Sequence, residues 1–150
     1  MTEQASLTER EIYEFVAAWF RALDFHVPIE EAAAFLADRD LHVEFRDGDI
    51  RDFASFKVWY DRVTNLFFDE NHNVQNVQAN ISGDQAELDI VVGWQASSWE
   101  PPAARSKRIA MDATQRWTVR RSTRNRYGLE IVTYNATAEP FKYAPGFARL

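Results

Sequence analysis

The chemistry available in this chain centres on one histidine, one carboxylate and one amide. His72 lies in the run Glu70-Asn71-His72-Asn73-Val74-Gln75-Asn76, where an aromatic helical pattern gives way to a period of two. It is one of 3 histidines, with His26 and His42. Its imidazole titrates near neutrality, so an inward-facing His72 would handle protons in an apolar interior. Read alone, a histidine where a strand begins is more often a surface or structural residue. Asp24 shares a helical face with Phe20 and Ala17, one and two turns earlier. It also stands at the negative end of its helix, a poor place for a carboxylate without a partner. Gln115 is a polar amide in an apolar row and must find hydrogen bonds in the core or from a ligand.

Other candidates carry less. Asp112 has the strand parity of Thr114, Arg116 and Thr118, which makes it an exposed position or a subunit contact before a catalytic acid. Asp38 and Asp40 suit a turn. His42 falls on the solvent side of a hairpin, and His26 sits in a connection between helices, where no role is assigned to it. No pair of histidines has a spacing such as H-x-x-x-H, so no metal is expected. The 5 glycines form no G-x-G-x-x-G phosphate loop, and no cofactor is expected.

These residues need elements to position them. Ser6-Leu-Thr-Glu9 reads as a capping box. Behind it Ile12, Phe15, Val16, Trp19, Phe20 and Leu23 recur at helical spacing, predicting a helix over 7–24. Pro28 suits the first turn of a second helix that runs to about Ala37. Leu41, Val43 and Phe45 alternate with polar residues before Asp47-Gly48, a favoured two-residue turn. Phe53, Phe56, Tyr60, Val63 and Phe67 then predict a third helix, with Trp59 and Leu66 widening its apolar stripe. Strands are predicted over 72–82, 85–98, 107–121 and 126–137, with Ser82-Gly83-Asp84 as the first turn. Ala86, Leu88, Ile90, Val92, Trp94 and Ala96 share one face of the second; Ile109, Met111, Ala113, Gln115, Trp117 and Val119 share one face of the third. Helices before a long antiparallel meander indicate an α+β domain, read here as a single domain over 1–150.

This order resembles the NTF2-like superfamily, and the local text resembles its SnoaL-like branch. The resemblance rests on Ala22-Leu23-Asp24, on Phe35-Leu36-Ala37-Asp38, and on His72-Asn-Val-Gln-Asn76 leading through Gly83-Asp84-Gln-Ala86 into the next strand. It covers nearly the whole chain and implies a cone, with three N-terminal helices packed on a curved, mainly antiparallel sheet around a pocket. Scytalone dehydratase and the bile-acid dehydratases carry a Tyr-Asp pair near the end of the first helix and a histidine where the long strands begin. Asp24 and His72 match the Asp and the His, while Leu23 stands in the place of the tyrosine. The resemblance therefore implies a His72–Asp24 pair, in which the carboxylate fixes the tautomer of the imidazole and makes it a competent base near pH 7. It also implies a homodimer, since exposed sheet faces in this superfamily commonly pair.

The bulk composition bounds the partners. Aromatic residues are 14% of the chain, with 11 Phe, 5 Trp and 5 Tyr, enough for a bulky core or an aromatic-lined cavity. Trp94, Gln115 and Trp117 from the strands, with Trp19, Phe20, Trp59 and Tyr60 from the helices, are the expected ligand-binding wall. That wall suits a flat, mainly apolar ligand with a polar substituent. The formal net charge of -6 argues against nucleic acid. Cysteine is absent, which removes disulfide and thiol chemistry. No apolar run reaches the ~20 residues that cross a bilayer, and the first residues lack the features of a signal peptide, so a cytoplasmic protein with no membrane partner is expected. The functional expectation is a cofactor-independent lyase or isomerase acting on a small hydrophobic ring compound through His72 and Asp24. The alternative, a non-catalytic binding or accessory protein on the same cone, stays open because Leu23 lacks the tyrosine hydroxyl.

Overall fold

The structure, a computed structural model, describes residues 6–46, 48–137 and 142–150. Helix α1 spans Glu9–Asp24 and is capped by Thr8, not by Ser6. The Thr8 hydroxyl accepts from the Glu11 amide, and the Glu11 carboxylate accepts from the Thr8 amide, both at 3.2 Å. The box moves two residues along because the Leu7 amide is committed to the Gly83 carbonyl, at 3.1 Å, and cannot enter the helix. Helix α2 is only Ile29–Ala33, with Pro28 as its N-cap. It stops short of Ala37 because the next residues pair with a strand: Ala37 N donates to Ile131 O and Ile131 N to Phe35 O, each at 2.8 Å. Backbone groups used in that bridge are lost to the helix.

Strands β1 (His42–Phe45) and β2 (Gly48–Ile50) form the early hairpin; Asp47 of its expected turn lies outside the described residues. Helix α3 (Phe53–Leu66) follows, so two helices and not three precede the first strands. The long meander is β3 (Phe67–Ser82), β4 (Gln85–Ser98), β5 (Lys107–Arg121) and β6 (Leu129–Asn135), and β7 (Lys142–Tyr143) is a short addition on β5. β3 begins five residues before the expected start because Phe67 and Phe68 pair with Ser98 and Ser97. β6 begins after the turn at Gly128, whose φ of 77° suits glycine. The sheet order is β2-β1-β6-β5-β4-β3; β1 lies parallel to β6, and the other pairs are antiparallel.

Helix α1 lays its apolar face on the inner side of the sheet. Ile12, Phe15, Val16, Trp19 and Phe20 meet Leu88, Ile90, Trp117, Leu129, Ile131 and Tyr134 in the main core. Each fully buried Leu or Ile there contributes about 1.5–3 kcal/mol relative to exposure. A smaller cluster of Trp94, Ala96, Ile109 and Met111, with Phe67 and Tyr143 against it, forms a second apolar group. Among the described residues no helix is long and apolar enough to cross a membrane.

Candidate active site

Asp24 is the last residue of α1, and β3 brings His72 to it. His72 Nδ1 lies 2.6 Å from Asp24 Oδ1, and the His72 backbone N–H donates to Asp24 Oδ2 at 3.0 Å. Two bonds to one carboxylate fix both the strand and the ring. Since a carboxylate only accepts, Nδ1 carries the hydrogen and Nε2 keeps its lone pair in the neutral ring. The Phe20 ring stacks on the imidazole at 4.9 Å and limits its rotation. Both side chains are largely buried, 11% exposed for His72 and 15% for Asp24. Among the described residues Nε2 has no hydrogen-bond partner, and it is not sealed from solvent. It is therefore free to meet a ligand in the cavity that His72 lines.

That cavity has a volume of about 500 Å³ and draws on both apolar clusters. Its size lies within the ordinary range for small-molecule sites. Trp59, Tyr60, Trp94 and Gln115 line it. Trp19, Phe20 and Trp117 do not: they are fully buried behind the wall. Trp19 packs on Phe35, Phe56 and Tyr134, and Phe20 lies beneath His72. Trp117 donates its indole N–H to Gln115 Oε1 at 3.1 Å. An indole only donates, so this bond identifies the oxygen of Gln115 and leaves its NH₂ group for Tyr134 or a ligand. Leu23 also lines the cavity, without a hydroxyl.

Sequence reasoning missed Glu70 and left His26 without a role. Glu70 Oε2 lies 2.6 Å from His26 Nε2, and Glu70 Oε1 accepts from Trp94 Nε1 at 3.1 Å. A bulge lies beside it: β3 spends Asp69 and Glu70 between the pairs Phe68–Ser97 and Asn71–Gln95. Glu70 shares the side of His72 and Val74 by ordinary alternation, and the extra residue brings Phe67 onto that side as well. A second irregularity between Val74 and Asn76 then moves the inward set to Val77, Ala79 and Ile81. The shift from Val74 to Val77 was a legible signal of that second bulge.

Burial, reinforced by the negative charges of Glu70 and Glu31, pushes the Tyr60 hydroxyl up to about 12. It stays protonated and donates to the Val27 carbonyl at 2.5 Å. Burial also raises the Tyr134 hydroxyl, against the lowering effect of Trp19 and Gln115 beside it. Among the described residues Trp19 Nε1 has no hydrogen-bond partner. Among the described residues no three His, Asp or Glu side chains converge as metal ligands would. Asp112 is exposed on the outer face, where it accepts from Gln75 Nε2 at 2.8 Å. His42 pairs with Asp49 and Glu44 on the hairpin. Asp38 and Asp40 are exposed at their turn.

No protein-family profile and no curated protein matches the sequence. Solved structures do match in shape. A candidate aromatic ring hydroxylase from Novosphingobium aromaticivorans superposes with a TM-score of 0.73 at 14% identity, covering 90% of this chain and 92% of that one. A hexachlorocyclohexane dehydrochlorinase from Novosphingobium barchaimii gives 0.71 at 14% identity, covering 94% and 92%. A candidate dehydratase of the NTF2-like family from Streptomyces avermitilis gives 0.70 at 10% identity, covering 85% and 93%. The chain thus has the NTF2-like fold, as its resemblance implied. At these identities the likeness establishes the fold, and the reaction must be argued from the site.

Proposed function

We propose that this protein is a cofactor-independent lyase or isomerase acting on a small, mainly apolar ring compound. The observation that carries the reading is the 2.6 Å contact between His72 Nδ1 and Asp24 Oδ1, with Nε2 left available to the cavity. His72 Nε2 takes a proton from carbon, and Asp24 holds the tautomer and balances the charge that forms on the ring. Trp59, Trp94 and the aliphatic wall exclude water and seat the ring, while the Gln115 NH₂ group bonds its polar substituent. Two of the structural neighbours named above are described as a dehydrochlorinase and a candidate dehydratase, which supports elimination as the reaction type.

The test is turnover of small cyclic ketones and halides by the wild type, His72→Ala and Asp24→Asn. Loss of the base should lower kcat/KM by about 10²–10⁴-fold. Asparagine at position 24 permits the other tautomer and should cost about 10²-fold or more. Undiminished turnover in both variants would remove His72 from the reaction. A second reading is favoured by Leu23, which faces the cavity without the hydroxyl that the related dehydratases carry. On that reading the cone binds its ligand without turnover. Native mass spectrometry showing tight retention of an unchanged ring compound would support it.

A further inference from the structure

His72 accounts for one polar wall of the cavity; Glu70 remains to be explained. Its carboxylate lines the same cavity, and its side chain is only 9% exposed. A charge in such a place is costly unless it is paired. Here each oxygen takes one donor, Oε2 from His26 and Oε1 from Trp94, and each keeps a second lone pair. His26 does not line the cavity; it sits outside, in the connection between α1 and α2, with its side chain 28% exposed. The chain of groups therefore runs from the cavity through Glu70 and His26 to solvent.

Two residues in a sparsely populated conformation converge on this contact. His26 has φ of 48°, and Asp69, beside Glu70 in the bulge, has φ of 50°. Neither is glycine, and such residues persist only where their surroundings hold them. The Asp69 carbonyl is held by Arg108 Nη1 at 2.7 Å. Neither of these two residues belongs to the buried core. What they produce together is the 2.6 Å approach of a surface imidazole to a cavity carboxylate.

We infer that Glu70, supplied through His26, is a second catalytic group that delivers a proton to an oxygen atom leaving the substrate. This rests on the reading of His72 as the base. Glu70 and His72 lie two residues apart on the same face of β3, roughly 7 Å along the strand, which spans two adjacent ring carbons and their substituents. His72 Nε2 takes the proton from the carbon next to a carbonyl, whose oxygen rests on the Gln115 NH₂. The electrons of that C–H bond form the new C=C bond. The C–O bond on the next carbon breaks with its pair going to oxygen, which takes the labile proton of the Glu70–His26 pair and departs as water. The proton held by His72 returns to the pair through water, and the cycle closes without an oxidant or reductant. A chloride would need no such proton, and a carboxylate beside it would repel the departing anion. The substrate class is therefore a cyclic β-hydroxy ketone in preference to a cyclic halide.

The experiment compares 3-hydroxycyclohexanone with 3-chlorocyclohexanone, following enone absorbance with the wild type, Glu70→Gln, His26→Ala and His72→Ala. The wild type should turn over the hydroxy ketone, and Glu70→Gln should lower the hydroxy-to-chloro ratio of kcat/KM by about 10²-fold. His26→Ala should lower the same ratio, and added imidazole should restore part of it, because His26 is reachable from solvent. An equal loss on both probes in a folded Glu70→Gln protein would make Glu70 a support for Trp94. That result would overturn the inference while leaving the reading of His72 intact. Failure of the wild type on the hydroxy ketone, with the chloro ketone consumed, would overturn the substrate class. Undiminished turnover of both probes by His72→Ala would instead overturn the assignment of the base, on which this inference depends.

Discussion

His72 and Tyr60 show how a neighbour decides what a side chain can do. His72 gains a fixed tautomer from Asp24 and a fixed ring plane from Phe20. Tyr60 has its hydroxyl hydrogen committed to the Val27 carbonyl. Its ionisation is pushed up to about 12, against about 10 in an unfolded chain. Between those values the unfolded chain releases the proton while the folded chain keeps it. The stabilisation is fully present below pH 10 and is lost as pH rises toward 12. Tyr134, raised by burial, acts in the same direction. Urea midpoints at pH 8 and pH 11 test this: the wild type should lose more stability over that interval than Tyr60→Phe. Equal losses would show that Tyr60 does not carry the alkaline sensitivity.

At the scale of elements, the ends of α1 matter as much as its apolar face. Its N-terminus is held by the Thr8–Glu11 box, and Glu11 also meets Arg121 at 2.6 Å, tying the helix to the end of β5. The Arg121 hydrogen bond keeps the Glu11 carboxyl below its ordinary range. Thr8→Ala should cost about 1 kcal/mol, within the usual span for a lost N-cap. Ser6→Ala should cost much less, because among the described residues Ser6 offers its carbonyl, to Arg121, and no side-chain cap. Urea unfolding of the two variants distinguishes them, and the reverse order would return the cap to Ser6. The C-terminal end of α1 delivers Asp24, and one face of β3 delivers Glu70 and His72, so one helix end and one strand face build the polar part of the cavity.

For the whole molecule, the inner face of the sheet carries the core and cavity, while the outer face of its central strands carries polar groups. Gln75 bonds Asp112 across that outer face, and Arg116 meets Asp89 there at 3.0 Å. We propose that this face pairs with a second copy, as the sequence resemblance implies. Light scattering at micromolar concentration should then give twice the 17.4 kDa chain mass. A monomeric mass would reject the pairing.

The helical stripe of α1 and the alternation of β4 and β5, whose bounds agree with expectation, follow from the sequence alone. The pairing of His72 with Asp24 was also legible, because the resemblance supplied a partner for an acid at the wrong end of a helix dipole. Local periodicity fixes which residues share a face of one element. It does not fix how deep each lies once a curved sheet and a helix pack together, so Trp19, Phe20 and Trp117 fall in the core while Trp59 and Trp94 line the cavity. Nor does it fix where a strand gains an extra residue, since that depends on pairing with a distant strand. That pairing sets the bulge beside Glu70, and the folding of the α1–α2 connection onto β3 gives His26 its partner, 44 residues away in sequence, so only the tertiary structure could decide it.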